Sequence, residues 1–137
     1  MNAPSVLETV IYLQDLAAAE DFYGRLLGLT PYARAEGRHI FFKLENQMLL
    51  IFNPDATRKP AGGSLPVPTH GASGEGHVCF SANPLGIDTW RRRLVDDMGL
   101  AIEADFEWPN GGRSIYVRDP AGNSVEFAEP RIWGFEA

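Results

Sequence analysis

The stretch VEFAEP at residues 125–130 reappears in outline as LLIFNP at 49–54, an offset of 76 residues. A short apolar run closed by an acidic or amide residue and a proline is unremarkable once. Twice, it asks whether everything upstream repeats as well. It does. The helical stripe Leu16, Ala19, Phe22, Tyr23, Leu26 and Leu27 in DLAAAEDFYGRLLG ends at Gly28, with Asp15 as its N-cap. A second stripe, Ile87, Trp90, Leu94, Val95 and Met98, ends at Gly99. Each stripe follows an alternating strand, VLETVIYL at 6–13 and HVCFSA at 77–82. Each is followed by three short strands: about 30–36, RHIFFKL and QMLLIFN in the first copy, and AIEADFEW, RSIYVRD and NSVEFAE in the second. A tight turn near Glu45 and Asn46 joins the last two strands of the first copy.

The chain is therefore expected to be α+β, with two βαβββ modules at about 5–54 and 75–130 and a Pro-, Gly- and Ser-rich linker at about 54–74. One helix and four strands cannot close a core alone, so the modules are expected to form a curved mixed sheet with helices outside, one domain over residues 1–137.

Bulk properties narrow the function. The chain is 45% hydrophobic, its formal charge is −6, and its one basic cluster, WRRRL at 90–94, reads as a solvated helix face; neither nucleic acid nor a membrane is an expected partner. The single Cys79 cannot form an intrachain disulfide, and MNAPSVLET lacks the basic start and apolar core of a signal peptide, so a cytoplasmic location is expected.

Strand alternation sorts the side chains. Thr9, Ile11, Leu13, Val78, Phe80, Val125 and Phe127 are expected to cover the helices. That leaves Glu8, Val10, Tyr12, His77, Cys79, Ser81, Ser124, Glu126 and Ala128 on the other face. Glu8, His77 and Glu126 then converge, and carboxylates there need a partner. Two arrangements satisfy them: a divalent cation, or a network with Arg113 or Arg118.

LETVIYLQDLAAAEDFYGRLLGL, GHVCFS and RDPAGNSVEFAEP together resemble the vicinal oxygen chelate superfamily, which includes glyoxalase I, fosfomycin-modifying thiol transferases, extradiol dioxygenases and bleomycin-resistance proteins. The resemblance covers nearly the whole chain. It implies metal ligands on the first and last strands of the modules, carried here by Glu8, His77 and Glu126. Leu50 falls where glyoxalase I has a glutamate, so the resemblance implies three ligands, not four, and inefficient turnover of the methylglyoxal–glutathione hemithioacetal. Glu8 takes a place that the fosfomycin enzymes and dioxygenases give to histidine, which hardens the site toward Mn, Fe(II), Ni, Co, Zn or Mg.

The implied function is a divalent-metal-dependent enzyme acting on a small molecule chelated through adjacent oxygens, as a lyase, isomerase, thiol transferase or dioxygenase. The alternative is a drug-binding protein of the bleomycin-resistance kind. The implied assembly is a homodimer with exchanged modules, Glu8 of one chain joining His77 and Glu126 of the other.

Supporting residues are also in place. Ser114 and Tyr116 resemble the serine and tyrosine that line the fosfomycin-enzyme site, and either hydroxyl can hydrogen-bond a substrate oxygen. His39 maps onto Ser114 and is expected to face inward as a base or a rim histidine. Arg113 and Arg118 are expected either to clamp an anionic substrate or to pair with Asp119. A long loop often serves as a lid, which leaves His70 in VPTHGASG either over the cavity or in solvent. Trp108 and the aromatics of RIWGFEA are expected at a dimer contact or cavity mouth, and Cys79 as a small filler.

Overall fold

A computed structural model describes residues 2–135, which divide after Gly74 into two compact units. In the first unit, β1 (Glu8–Tyr12) leads into α1 (Leu16–Leu27). The Asp15 carboxylate accepts the Ala18 N–H at 3.0 Å, and Gly28 ends the helix at φ 68°, a conformation that suits a residue without Cβ. β2 (Ala33–Ala35), β3 (His39–Lys43) and β4 (Met48–Phe52) complete the unit's sheet in the order β1-β4-β3-β2. β4 runs parallel to β1 and antiparallel to β3. The turn expected at Glu45 and Asn46 is closed by Leu44 N–H donating to Gln47 O at 2.9 Å. Ile11, Ile40, Phe42, Leu49 and Ile51 are buried on one sheet face, and Ala19, Phe22, Tyr23 and Leu26 are buried on α1.

The linker departs from the expectation at its start. Pro54–Thr57 form a short helix, α2, because the Asn53 side chain accepts the Asp55 N–H at 3.0 Å and Pro54 is preset for a first helical turn. Thr57 is buried, and its carbonyl accepts the His70 N–H at 3.0 Å, which ties the loop shut at its base.

The second unit repeats the plan with β5 (His77–Ser81), α3 (Ile87–Arg92), β6 (Ala104–Glu107), β7 (Arg113–Arg118) and β8 (Ser124–Ala128), in the sheet order β5-β8-β7-β6. Ile115, Val117, Val125 and Phe127 are buried, as are Ile87, Trp90 and Leu94. The Trp90 and Phe127 rings stack with centroids 4.1 Å apart. Val95 does not continue the stripe. After Arg92 the helix widens into a π-helical segment, Arg93–Asp97, and the extra residue per turn rolls Val95 outward to 38% exposure while Leu94 stays buried.

Register confirms the internal repeat position by position. Leu50 pairs with Val10 and Phe41, as Glu126 pairs with Cys79 and Tyr116. His39 pairs with Phe52, as Ser114 pairs with Ala128.

Candidate functional site

The turn ahead of β8 builds the second unit's polar face. Asp119 Oδ1 accepts the N–H groups of Ala121 and Asn123 at 2.9 Å each, and Asp119 Oδ2 accepts the Asn123 side-chain N–H at 2.9 Å. Gly122, at φ 86°, allows the chain to double back. Asn123 Oδ1 then accepts the Gly76 N–H at 2.6 Å, which sets β5 in register beside β8 and places His77 across from Ser124. Asp119 and Asn123 thus position the histidine. Their signal was already present in DPAGN, an aspartate and an asparagine spaced for a side-chain-capped turn.

His77 Nδ1 lies 3.0 Å from the Ser124 carbonyl oxygen, and Nε2 lies 3.2 Å from Glu126 Oε1. A carbonyl only accepts, so Nδ1 carries the proton. In a neutral imidazole Nε2 is then a bare lone pair pointing at a carboxylate oxygen. Two acceptors at that distance repel, and a positive charge between them, a proton or a metal cation, resolves the conflict. The same arrangement, with the far nitrogen donated to a carbonyl, orients metal-bound histidines generally. Glu126 is only 6% exposed, which sharpens the demand for a counter-charge.

Around this pair stand Cys79 and Tyr116, the cross-strand neighbours of Glu126. Burial, and then the Glu126 carboxylate, push the Cys79 thiol up to about 12 and raise the Tyr116 phenol as well. Cys79 is therefore a neutral thiol at physiological pH; it stands exposed on the polar face and is not the small filler expected of it. Iodoacetamide should label it slowly at pH 8, and Glu126→Gln should accelerate labelling by removing the neighbouring charge. Labelling at the rate of a free cysteine in the unmodified protein would contradict this. Ser114 is fully buried and its Oγ accepts the Trp108 indole N–H at 2.8 Å.

The two arginines do not join this group. Alternation puts Arg113 on the helix side of β7, where Nε and Nη2 reach Asp105 at 2.7 and 2.8 Å and Nη1 reaches Asp88 at 2.7 Å. The hydrogen bonds from Arg113 hold the Asp105 carboxyl below its ordinary range. The expected clamp at Arg113 is thus a tie between β6, β7 and α3. Arg118 bonds Glu103 and the Gly122 carbonyl rather than Asp119, whose carboxylate the turn uses.

In the first unit the equivalent face is mostly apolar. Glu8 holds the first-strand position of His77 and is exposed. Phe41 and Leu50 replace Tyr116 and Glu126. His39 stacks on Phe41 with centroids 4.0 Å apart, its Nδ1 buried without a hydrogen-bond partner among the described residues. Burial, then Arg38, lower its pKa, so the ring stays neutral. His70 is not loose in solvent: its Nδ1 lies 2.6 Å from the Tyr12 hydroxyl, and its ring meets Phe52 edge-on at 4.7 Å. No cluster of three or more His, Cys, Asp or Glu suited to a metal is formed among the described residues; His77 and Glu126 are the pair brought together.

Comparison with known proteins accords with this architecture. A family model described as Glyoxalase/Bleomycin resistance protein/Dioxygenase superfamily matches residues 5–127. The crystal structure of a lactoylglutathione lyase from Agrobacterium tumefaciens is 43% identical, with TM-score 0.88 over 98% of this chain and 100% of that one. A glyoxalase/bleomycin resistance protein/dioxygenase from Nocardioides, 23% identical, shares the fold at TM-score 0.68 over 94% of this chain and 85% of that one. None of the curated proteins searched matches the sequence. No helix among the described residues is long and apolar enough to cross a membrane.

Proposed function

The chain belongs to the glyoxalase/bleomycin resistance protein/dioxygenase superfamily, and from that premise we propose that it is a divalent-metal-dependent enzyme acting on a small substrate held through two adjacent oxygens. The observation that carries this reading is the facing of His77 Nε2 and Glu126 Oε1 at 3.2 Å with Nδ1 already committed to Ser124. One imidazole nitrogen and one carboxylate, with Glu8 as the third donor, suit Mn, Fe(II), Ni, Co, Zn or Mg. Such a cation supplies Lewis-acid polarisation of the substrate oxygens.

The chain's own groups supply the rest. Glu126, buried beside Tyr116, is the group that takes up or returns a proton at a carboxylate oxygen. The raised Tyr116 phenol stays protonated and donates to a substrate oxygen. Ser114, fully buried, accepts from Trp108 and hydrogen-bonds Tyr116, so it holds those two side chains in place rather than meeting the substrate itself. His39, held neutral, is a second candidate base in the first unit. Arg113 has no part in this reading.

A non-catalytic binding protein is the second reading, favoured by Phe41 and Leu50 standing where the second unit has Tyr116 and Glu126. Three assays of the metal-loaded protein separate the two: the methylglyoxal–glutathione hemithioacetal, fosfomycin with thiols, and catechol under oxygen. The enzyme reading expects metal-dependent turnover in at least one, abolished by Glu126→Gln. The similarity to a lactoylglutathione lyase makes the hemithioacetal the first to try, although Leu50 in place of a carboxylate leads to an expectation of slow turnover there. Fast turnover would overturn the weight given to Leu50. Silence in all three assays would favour the binding protein.

A further inference from the structure

The strand β6 alternates the wrong way round for a core strand. Asp105 faces the helix side, where it meets Arg113 and Arg91, and Phe106 goes to the opposite face as the partner of Ser114. Core burial is therefore not what Phe106 serves. Trp108 follows on the same face. Phe106 and Trp108 are 39% and 38% exposed, yet both are fixed in place. The Trp108 indole is anchored by its N–H to Ser114 Oγ at 2.8 Å and meets Phe106 edge-on at 4.8 Å.

The rings continue inward. Phe106 lies parallel to Tyr116, with 9° between planes and centroids 5.9 Å apart. Tyr116 in turn faces His77 at 6.3 Å and 23°. Four rings thus form a row from Trp108 to His77, and Tyr116 inside it is the cross-strand partner of Glu126. A single exposed aromatic needs no explanation. Two held side by side, continuous with the polar pair, present a ready surface for stacking without the entropy cost of ordering them first.

We infer that Phe106 and Trp108 form a shelf for the planar, aromatic or conjugated body of the small molecule whose oxygen end is held at His77 and Glu126. The substrate class is then an aromatic compound with two adjacent oxygens. The oxygen end rests on the metal reading above; the ring end rests on the shelf alone.

Benzohydroxamate and acetohydroxamate carry the same two-oxygen head and differ in the ring, so the pair separates the two ends. Calorimetry on the full-length Mn(II)-loaded protein should show benzohydroxamate binding roughly tenfold tighter, the scale of one good aromatic contact. Phe106→Leu and Trp108→Leu should bring the two affinities together, and Phe106→Leu, which keeps the Trp108–Ser114 hydrogen bond, should leave that of acetohydroxamate unchanged, which also shows that this variant is folded. In metal-free protein, saturation-transfer NMR should show contact to the ring protons of benzohydroxamate that both variants lose.

Equal affinities in the unmodified protein, with acetohydroxamate still bound through Mn(II), would overturn the shelf and leave the metal reading standing. A ring preference that is independent of Mn(II) but lost in the variants would support the shelf while the metal reading fell. If sedimentation showed Trp108→Leu dissociating a dimer with the ring preference unchanged, the face would be a contact between copies and the proposal would be overturned.

Discussion

Titrated with Mn(II) or Ni(II), the protein should take up one equivalent per chain, and His77→Ala and Glu126→Ala should each weaken that uptake on the order of a hundredfold or more. Outer partners of metal ligands typically cost about 10- to 100-fold when removed, and a direct donor costs at least as much. The two variants should fail for different reasons. His77→Ala removes a nitrogen donor already oriented by Ser124 O, and leaves Glu126 buried without its counter-charge. Glu126→Ala removes the carboxylate that Nε2 faces at 3.2 Å. Glu8→Ala should cost less, since Glu8 is exposed and water can stand in for it. Calorimetry and elemental analysis of dialysed protein check this directly. Stoichiometric metal in the His77→Ala/Glu126→Ala double variant would sink the assignment.

Phe127→Ala should destabilise the fold by about 3–5 kcal/mol, the usual cost of deleting a fully buried aromatic. Phe127 is completely buried, stacked at 4.1 Å on Trp90 and at 5.4 Å on Phe80, so its removal opens a cavity between β8 and α3. Trp90 cannot easily fill it, because its indole N–H is held by Ala82 O at 3.1 Å. Against a typical total stability of about 5–15 kcal/mol, most of the resistance to urea should disappear. Phe127→Leu, which keeps much of the volume, should cost much less. A urea midpoint for Phe127→Ala close to that of the unmodified protein would contradict this packing account. Because Phe127 adjoins Glu126 on the same strand, the alanine variant should also loosen metal binding, and the leucine variant should restore it.

Much of this was legible before any coordinates. The offset between LLIFNP and VEFAEP, two glycine-terminated stripes and strict strand alternation are local signals with a local cause: side-chain period follows backbone geometry. They placed Glu126 and His77 on one face, the family resemblance added Tyr116 and Ser114, and β5, β7 and β8 carry all four there. Alternation misled only where its premise broke. The stripe through Val95 assumed an unbroken 3.6-residue period, and the π-helical segment inserts a residue. Asn53 reads as the end of the strand QMLLIFN and Pro54 as the start of the turn-rich linker, and the same two residues also cap and begin a helix.

What the sequence determined by itself was the periodic part: two βαβββ modules, their buried faces, and the common face of His77 and Glu126. Only the tertiary structure decided the pairings that periodicity does not encode. Arg113 meets Asp88 and Asp105 because α3 crosses β7 there. His70 reaches Tyr12 because Thr57 O ties the loop at its base. Asn123 holds Gly76, and that bond aims both nitrogens of His77. These contacts join residues far apart in the chain, and their distances depend on how layers stack and loops close, which one-dimensional spacing does not contain.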